Sequence, residues 1–347
     1  MTQWAATKAK AGTKNTPAAE QTNYDADYYR ALFAKKRTND APIRMALVGK
    51  ENTTKTGLAI SLARQAIGPD QSIIIIDLDN SAAQTVACNY ADDPNIVVIP
   101  VFDESDGSIF KDDNTTDWVA LVDKTAWFVR IIGEHCREGG VGAVIFDGGS
   151  TFLKWCEFAM THVLLHRSTN PINVDEGDRF NQAEWRTRNK LFRDVINRFH
   201  QLPVTAVFFT FHLKDIKEFM DIGSGQKGLM KVGERPEWEN GTKRLFSQQL
   251  WLTRYSKKGD VAAGVKADKS LGDNEWVVRC RIEEMKGWHQ ELLGTSHDVL
   301  RVKDGKVTWN GLPNLTWGKA ITTKEVATDE GEATDDGESG SEEKPPA

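Results

Sequence analysis

Between residues 41 and 213 the apolar positions switch repeatedly between two spacings. Ile43–Val48 (IRMALV), Ser72–Asp77 (SIIIID), Ile96–Phe102 (IVVIPVF), Gly142–Phe146 and Val204–Phe211 (VTAVFFTF) are short β-branched or aromatic runs, which predicts buried strands. Thr56–Ile67 ends at Gly68 and has helical character. Trp118–Cys136 carries apolar residues at 118, 121, 122, 129 and 132, the helical period, and Ala183–Gln201 sets Leu191, Phe192, Val195, Ile196 and Phe199 on one face. This alternation predicts an α/β fold, a mainly parallel sheet with helices on both faces.

The pattern then changes. Gln248–Tyr255, Trp276–Glu284, Glu291–Leu293, Val299–Val302 and Lys306–Trp309 are short strand-like runs separated by turns such as Asp304-Gly305 and Asn310-Gly311. They predict antiparallel hairpins added at the C-terminal end of the sheet. Residues 213–245 are rich in Gly and charge, which predicts a long loop, functional or disordered. Residues 1–40 form a polar arm containing one short amphipathic helix (24–37), residues 41–317 the folded domain, and residues 318–347 a disordered tail.

Charge changes the picture only once it is placed. The chain has 347 residues and a formal charge of −6, which by itself argues against nucleic acid as a partner. Residues 318–347 hold nine acidic and three basic side chains, so the tail carries the whole excess and the rest is neutral. A tail of that composition is expected to stay unstructured. It is expected to compete with DNA for basic surface or to recruit a basic protein. No run of 18 apolar residues predicts a membrane span. Four cysteines without CxxC spacing fit a reducing compartment, hence the cytoplasm, or the host's if the source is viral.

Straight after the first strand comes Gly49-Lys50-Glu51-Asn52-Thr53-Thr54-Lys55-Thr56, then a helix. This is the Walker A order G-x-x-x-x-G-K-[ST] with Thr54 in place of the second Gly. Backbone N–H groups at a helix N-terminus cradle phosphates, which makes ATP the expected ligand. Lys55 would neutralise the β- and γ-phosphates, and the Thr56 hydroxyl would complete a Mg²⁺ shell. The competing reading is an ordinary strand-to-helix turn with a chance Lys-Thr. Thr54 favours that alternative, because Gly tolerates backbone angles that Thr resists.

Two strands end in acid, at Asp77-Leu78-Asp79 and at Asp147-Gly148-Gly149-Ser150. Carboxylates at strand carboxyl ends face the ligand crevice of an open α/β sheet. Asp147 is the expected Mg²⁺ partner, and Asp79 the residue that orients the attacking water. Either one would otherwise be a turn or helix-capping Asp. Thr210 and His212, at the end of VTAVFFTF, are placed to touch the γ-phosphate and pass its presence to the following loop.

These residues, in this order, resemble the RecA-like P-loop ATPases. GKENTTKT resembles their phosphate loop and IIIIDLDNSA the strand whose final acid activates water, here Asp79 in place of the usual Glu. AVIFDGGSTFL resembles the Walker B strand with a following hydroxyl residue, Asp147 and Ser150, and FFTFHLKD the strand carrying the γ-phosphate sensor, His212. QQLWLTRYSKKGD and WVVRCRIEEMKG look like the terminal strand pair. There the resemblance implies basic residues, Arg279, Arg281 or Lys286, that reach a neighbour's nucleotide in a ring or filament. It covers about residues 42–295 and is strongest to compact phage or archaeal-virus members linked to single-strand annealing and recombination. It implies a DNA-acting ATPase whose turnover is weakened by Thr54 and Asp79, or a nucleotide-gated assembly protein that barely hydrolyses. The loop also fits the ParA/MinD-type partition ATPases, where Lys50, five residues before Lys55, would act in the site.

For nucleic acid, residues 179–198 contain six basic side chains against two acidic ones, with Trp185 among them. Arg186, Arg188 and Lys190 there, and Lys227 and Lys231 in the Gly-rich stretch, are the candidates to follow a single-stranded DNA backbone. A solvated helix face would carry the same charges. Cys156, His162 and His166 have metal-compatible spacing on a helix, but no fourth ligand accompanies them. No GxSxG or Cys/His catalytic signature is present.

Overall fold

The structure, a computed structural model, describes residues 42–165, 182–221, 227–259, 265, 267–286 and 290–312. The arm at 1–40 and the tail at 318–347 lie outside the described residues. The elements run β1 (Ile43–Gly49), α1 (Lys55–Ile67), β2 (Ser72–Asp77), α2 (Ala82–Asn89), β3 (Ile96–Pro100), α3 (Trp118–Glu138), β4 (Val141–Asp147), α4 (Gly149–Leu165), α5 (Gln182–His200) and β5 (Ala206–Phe211). They continue with β6 (Leu213–Asp221), β7 (Lys227–Pro236), β8 (Gln248–Ser256), β9 (Glu275–Met285), β10 (Ser296–Lys303) and β11 (Lys306–Trp309).

Among the described residues, nine strands form one sheet in the order β11-β10-β9-β8-β1-β5-β4-β2-β3. From β3 to β8 every pairing is parallel, and β9, β10 and β11 extend the sheet antiparallel. The molecule is thus an α/β protein with a large, mostly parallel central sheet flanked by helices, plus antiparallel strands. Alternate residues of β1 go to opposite faces. Met45 and Leu47 join a core with Leu58, Ile60 and Leu62 of α1. Ala46 and Val48 join the core covered by α3, α4 and α5, where Phe146, Phe152, Phe192, Phe199 and Phe209 pack ring against ring. β1, β2, β4 and β5 are buried on both faces, which is why their sequences read as unbroken apolar runs. Because these strands are parallel, their carboxyl ends share one edge. Every acid and loop singled out above is delivered there.

Two expectations are corrected. Residues 213–245 are not a long loop: β6 and β7 pair as an antiparallel ribbon outside the main sheet, Leu213 opposite Pro236 and Phe219 opposite Leu229, with a bulge after Ile216. Its alternation was hidden because neither face is covered by a core. Phe219 is 74% exposed, and Met220, Met230 and Val232 are exposed too. Glu291–Leu293 is not a strand. A short 3₁₀ turn, Gln290–Leu292, occupies this stretch before β10 begins at Ser296. No described helix is long and apolar enough to cross a membrane.

Candidate functional site

β1 ends at Gly49, and the chain turns through Lys50–Thr54 into α1. The Thr53 hydroxyl donates to Lys50 O at 2.7 Å and closes the turn, while Thr54 O accepts the first α1 bond from Leu58 N at 2.9 Å. Gly49 is required because a Cβ there would lie 2.8 Å from Leu252 O on neighbouring β8. Asn52 (φ 57°) and Thr54 (φ 59°, ψ 29°) are left-handed. Asn accepts that region readily, whereas a β-branched residue is strained in it. The Thr54 hydroxyl caps nothing. Thr54→Gly is therefore expected to stabilise the protein by about 1 kcal/mol, seen as a higher melting temperature. An unchanged or lower melting temperature would contradict the strain argument.

Lys55, the first residue of α1, is buried at 9% exposure. Its ammonium folds back over the loop, donating to Lys50 O at 2.8 Å and Gly49 O at 3.1 Å. Burial lowers its pKa, against the raising influence of Asp147, Asp79 and Glu51. Asp147, at the end of β4, is 2% exposed and accepts two hydroxyl bonds: Thr56 at 2.7 Å and Thr210, from β5, at 2.6 Å. Thr210 is fixed in turn by Gly148 N at 2.9 Å. Burial pushes the Asp147 carboxyl up to about 6, with the nearby charges of Asp77 and Asp79 adding to the effect.

The two acids at the end of β2, Asp77 and Asp79, divide their tasks. Asp77 accepts from the backbone N–H groups of Asp79, Ser81 and Ala82 and so caps α2, a structural role. Asp79 faces the cleft. It accepts a bond from the Thr151 hydroxyl of α4, and His212 Nε2 lies 3.6 Å from its other oxygen. Burial raises its pKa, but nearby His212, the bond from Thr151 and the charge of Lys55 outweigh this and leave it lowered. Gly148 (φ 106°) passes close by; a Cβ there would meet Asp79 Oδ1 at 2.9 Å. Ser150, the hydroxyl residue after Asp147, accepts from His212 N at 2.9 Å and donates to Glu237 O at 2.8 Å, tying the end of β5 to the exit of the ribbon.

No protein-family model matches the chain, and a search of curated proteins returns no match. A cleft of about 1480 Å³ brings together Lys55, Thr56, Asp79, Asp147, Thr151 and His212 with the whole of the Lys50–Thr54 turn. A left-handed turn at the N-terminus of a 13-residue helix, with a buried lysine, suits an anion such as a polyphosphate. The Thr56 hydroxyl and the Asp147 carboxylate are hard oxygen donors held against each other, a pair that fits Mg²⁺.

The remaining sequence candidates are distributed differently. Arg279 is bound within the chain to Asp298 at 2.7 Å and Asp268 at 3.3 Å. Arg281 pairs with Glu283 at 3.2 Å, and Lys286 donates to Phe246 O at 2.7 Å. Arg188 lies over the Trp185 ring and pairs with Glu157 at 3.3 Å, whereas Arg186 and Lys190 are exposed on α5. Lys231 is held by Asp215 at 3.0 Å and by Glu234, so its charge is matched inside the ribbon. Lys227 opens β7, and its side chain is outside the described residues, as are the side chain of His162 and all of His166. Cys156 is buried in the core, its thiol pushed well above the ordinary range by burial.

Sequence reasoning missed four arrangements here, though it named Lys50 and the basic residues Lys214, Lys217 and Arg235. Lys50 reaches from the Lys50–Thr54 turn to the base of the ribbon, pairing with Asp215 at 3.2 Å and Glu234 at 3.1 Å. Thr151 and Lys154 of α4 line the cleft, one turn apart. Lys214 and Arg235 are register partners on the ribbon and, with Lys217, line a second cavity of about 670 Å³ beside Lys50. Arg254 and Tyr255, at the end of β8, wall the main cleft.

Proposed function

We propose that this protein is a P-loop ATPase of the RecA-like type that acts on single-stranded DNA, in viral recombination or replication, as a ring or filament. The observation that carries the nucleotide part is the 2.7 Å bond between Thr56, in the first turn of α1, and Asp147, at the end of β4, with the Lys55 ammonium folded over the same loop. The triphosphate would lie on the Lys50–Thr54 turn with Lys55 against its charge. Thr56 and Asp147 are the residues that would hold Mg²⁺, which when bound neutralises charge on the phosphate oxygens. Asp79, its pKa lowered, is ionised at neutral pH and positioned by Thr151 to orient water. His212 stands between Asp79 and the start of β6, so it is placed to relate the γ-phosphate to the ribbon. The ribbon supports the DNA part: Lys214, Lys217 and Arg235 offer exposed cations along it, and Phe219 offers an exposed ring near its tip.

Two observations favour a low-turnover variant of this reading, a nucleotide-gated assembly protein: strained Thr54 and the short acid Asp79. The partition-ATPase reading needs Lys50 in the site, yet its ammonium is paired with the ribbon acids. The test is ATP hydrolysis with and without single-stranded DNA, on wild type and Lys50→Ala. Single-stranded DNA is expected to stimulate turnover, and a flat response would remove DNA from the proposal. Lys50→Ala is expected to retain hydrolysis in the absence of DNA, and its loss would favour the partition type.

A further inference from the structure

The phosphate chemistry uses one side of the cleft. Asp147 ends β4, and Asp79 and His212 follow β2 and β5; all three strands lie to one side of β1 in the sheet. On the other side stands β8. Its pairing with β1 ends at Gly49–Leu252, but the strand continues to Ser256, paired on its other side with β9, so Thr253–Ser256 extend past the end of β1 beside the Lys50–Thr54 turn. A triphosphate held at Lys55 with its terminal phosphate toward Asp79 has its remaining half directed toward this overhang.

What waits there is Arg254. It is exposed and lines the cleft, and its guanidinium lies over the Trp276 ring, 4.1 Å from the ring centroid. Trp276 is itself packed against the core shared by α1, Leu252 and Val278, so the platform beneath the guanidinium is anchored. Arg254 forms no ion pair with a carboxylate among the described residues. Arg279, Arg281 and Lys286 all have partners within the chain, as described above. Val265 and Leu300 line the same part of the cleft and add apolar surface.

We infer that Arg254, layered on Trp276, is the base-binding platform of the nucleotide site, with the base of a nucleoside triphosphate stacking on the guanidinium. The inference rests on the nucleotide reading proposed above. A guanidinium is planar, delocalised and weakly hydrated, so it stacks on π-faces where a lysine ammonium does not. Stacking accepts any base, so ATP and GTP are bound through the same surface.

The experiment is equilibrium binding of ATP, GTP and inorganic tripolyphosphate to the full chain, as wild type, Arg254→Ala, Arg254→Lys and Lys55→Ala. Arg254→Ala is expected to weaken ATP and GTP about tenfold, the usual size of one lost stacking contact, and to leave tripolyphosphate unchanged. Arg254→Lys keeps the charge and nearly the volume, and is expected to bind as weakly as the alanine variant. Equal weakening of tripolyphosphate would make Arg254 a phosphate ligand and overturn the platform, as would unchanged ATP affinity or full rescue by lysine. If Lys55→Ala weakens neither nucleotide nor tripolyphosphate, it is the nucleotide reading that fails, independently of Arg254.

Discussion

Asp147→Asn is expected to make the ligand-free protein more stable at pH 8 while removing the ATP hydrolysis proposed for it. The side chain is 2% exposed and its carboxyl is raised to about 6 by burial, above its ordinary value of 3.8. A carboxyl raised in the fold binds its proton more tightly there than in the unfolded chain. Between about 3.8 and about 6 the folded state therefore holds more protons, and stability falls as pH rises through that window. Above it the full penalty of a buried charge remains, up to about 3 kcal/mol for a shift of that size. Asparagine keeps the shape and does not ionise; the Thr210 hydroxyl, which accepts from Gly148 N, can go on donating to the amide oxygen, and the Thr56 hydroxyl can accept from the amide NH2 instead. The stability gain should be largest at pH 7–8 and vanish below pH 4. Thermal melts of both proteins across pH 4–8 check this, and a variant less stable than wild type at pH 8 contradicts it.

Hydrolysis should move in the opposite direction. The feature that destabilises the ligand-free fold is the one that a cation–nucleotide complex would compensate, because an uncompensated buried carboxylate is an electrostatic site awaiting positive charge. Asparagine offers a weaker oxygen, and a loss of about 10²–10³-fold in turnover is expected. A stability gain accompanied by lost turnover is the signature of strain held for function, and simple misfolding would not produce it.

How much of this was legible in the sequence depends on whether the determining contacts are local. Ser72–Asp77 and Lys306–Trp309 have the bounds their patterns predict, because both are β-branched runs closed by turn residues. The acids at strand ends were legible too, since parallel strands carry their carboxyl ends to one edge whatever the strand order. α2 was not, because its N-terminus is held by Asp77, five residues before Ala82, and not by a residue at the cap itself. The ribbon was not, because a two-stranded element away from the core has no buried face to impose a clean alternation. The partners of Arg279 lie 11 and 19 residues away, and only the pairing of β9 with β10 puts Asp298 opposite it. Thr56 and Asp147 were each named from their own motif. Their contact, 91 residues apart in the chain, is a product of sheet order. Arg254 carries no motif at all, and its place follows from β8 outrunning β1.

Lys55→Met should abolish nucleotide-dependent behaviour while leaving the fold intact. The wild-type ammonium is desolvated; it donates to two loop carbonyls, at 2.8 and 3.1 Å, and feels the charges of Asp147, Asp79 and Glu51. In the ligand-free protein this arrangement gains little, since burial costs the ammonium its water and lowers its pKa. Methionine fills the same space without that cost, so the melting temperature without ligand is expected to stay close to wild type. Methionine has no charge to set against a triphosphate. Turnover is expected to fall by about 10²–10³-fold or more. ATP at a hundred times its dissociation constant should stabilise wild type by about 2.7 kcal/mol and the variant far less at the same concentration. Thermal melts with and without ATP separate the outcomes. If ATP shifts both proteins equally, the phosphates lie elsewhere and the cleft is not the nucleotide site. If ATP shifts only wild type, the binding energy runs through the buried Lys55 cation at the head of α1.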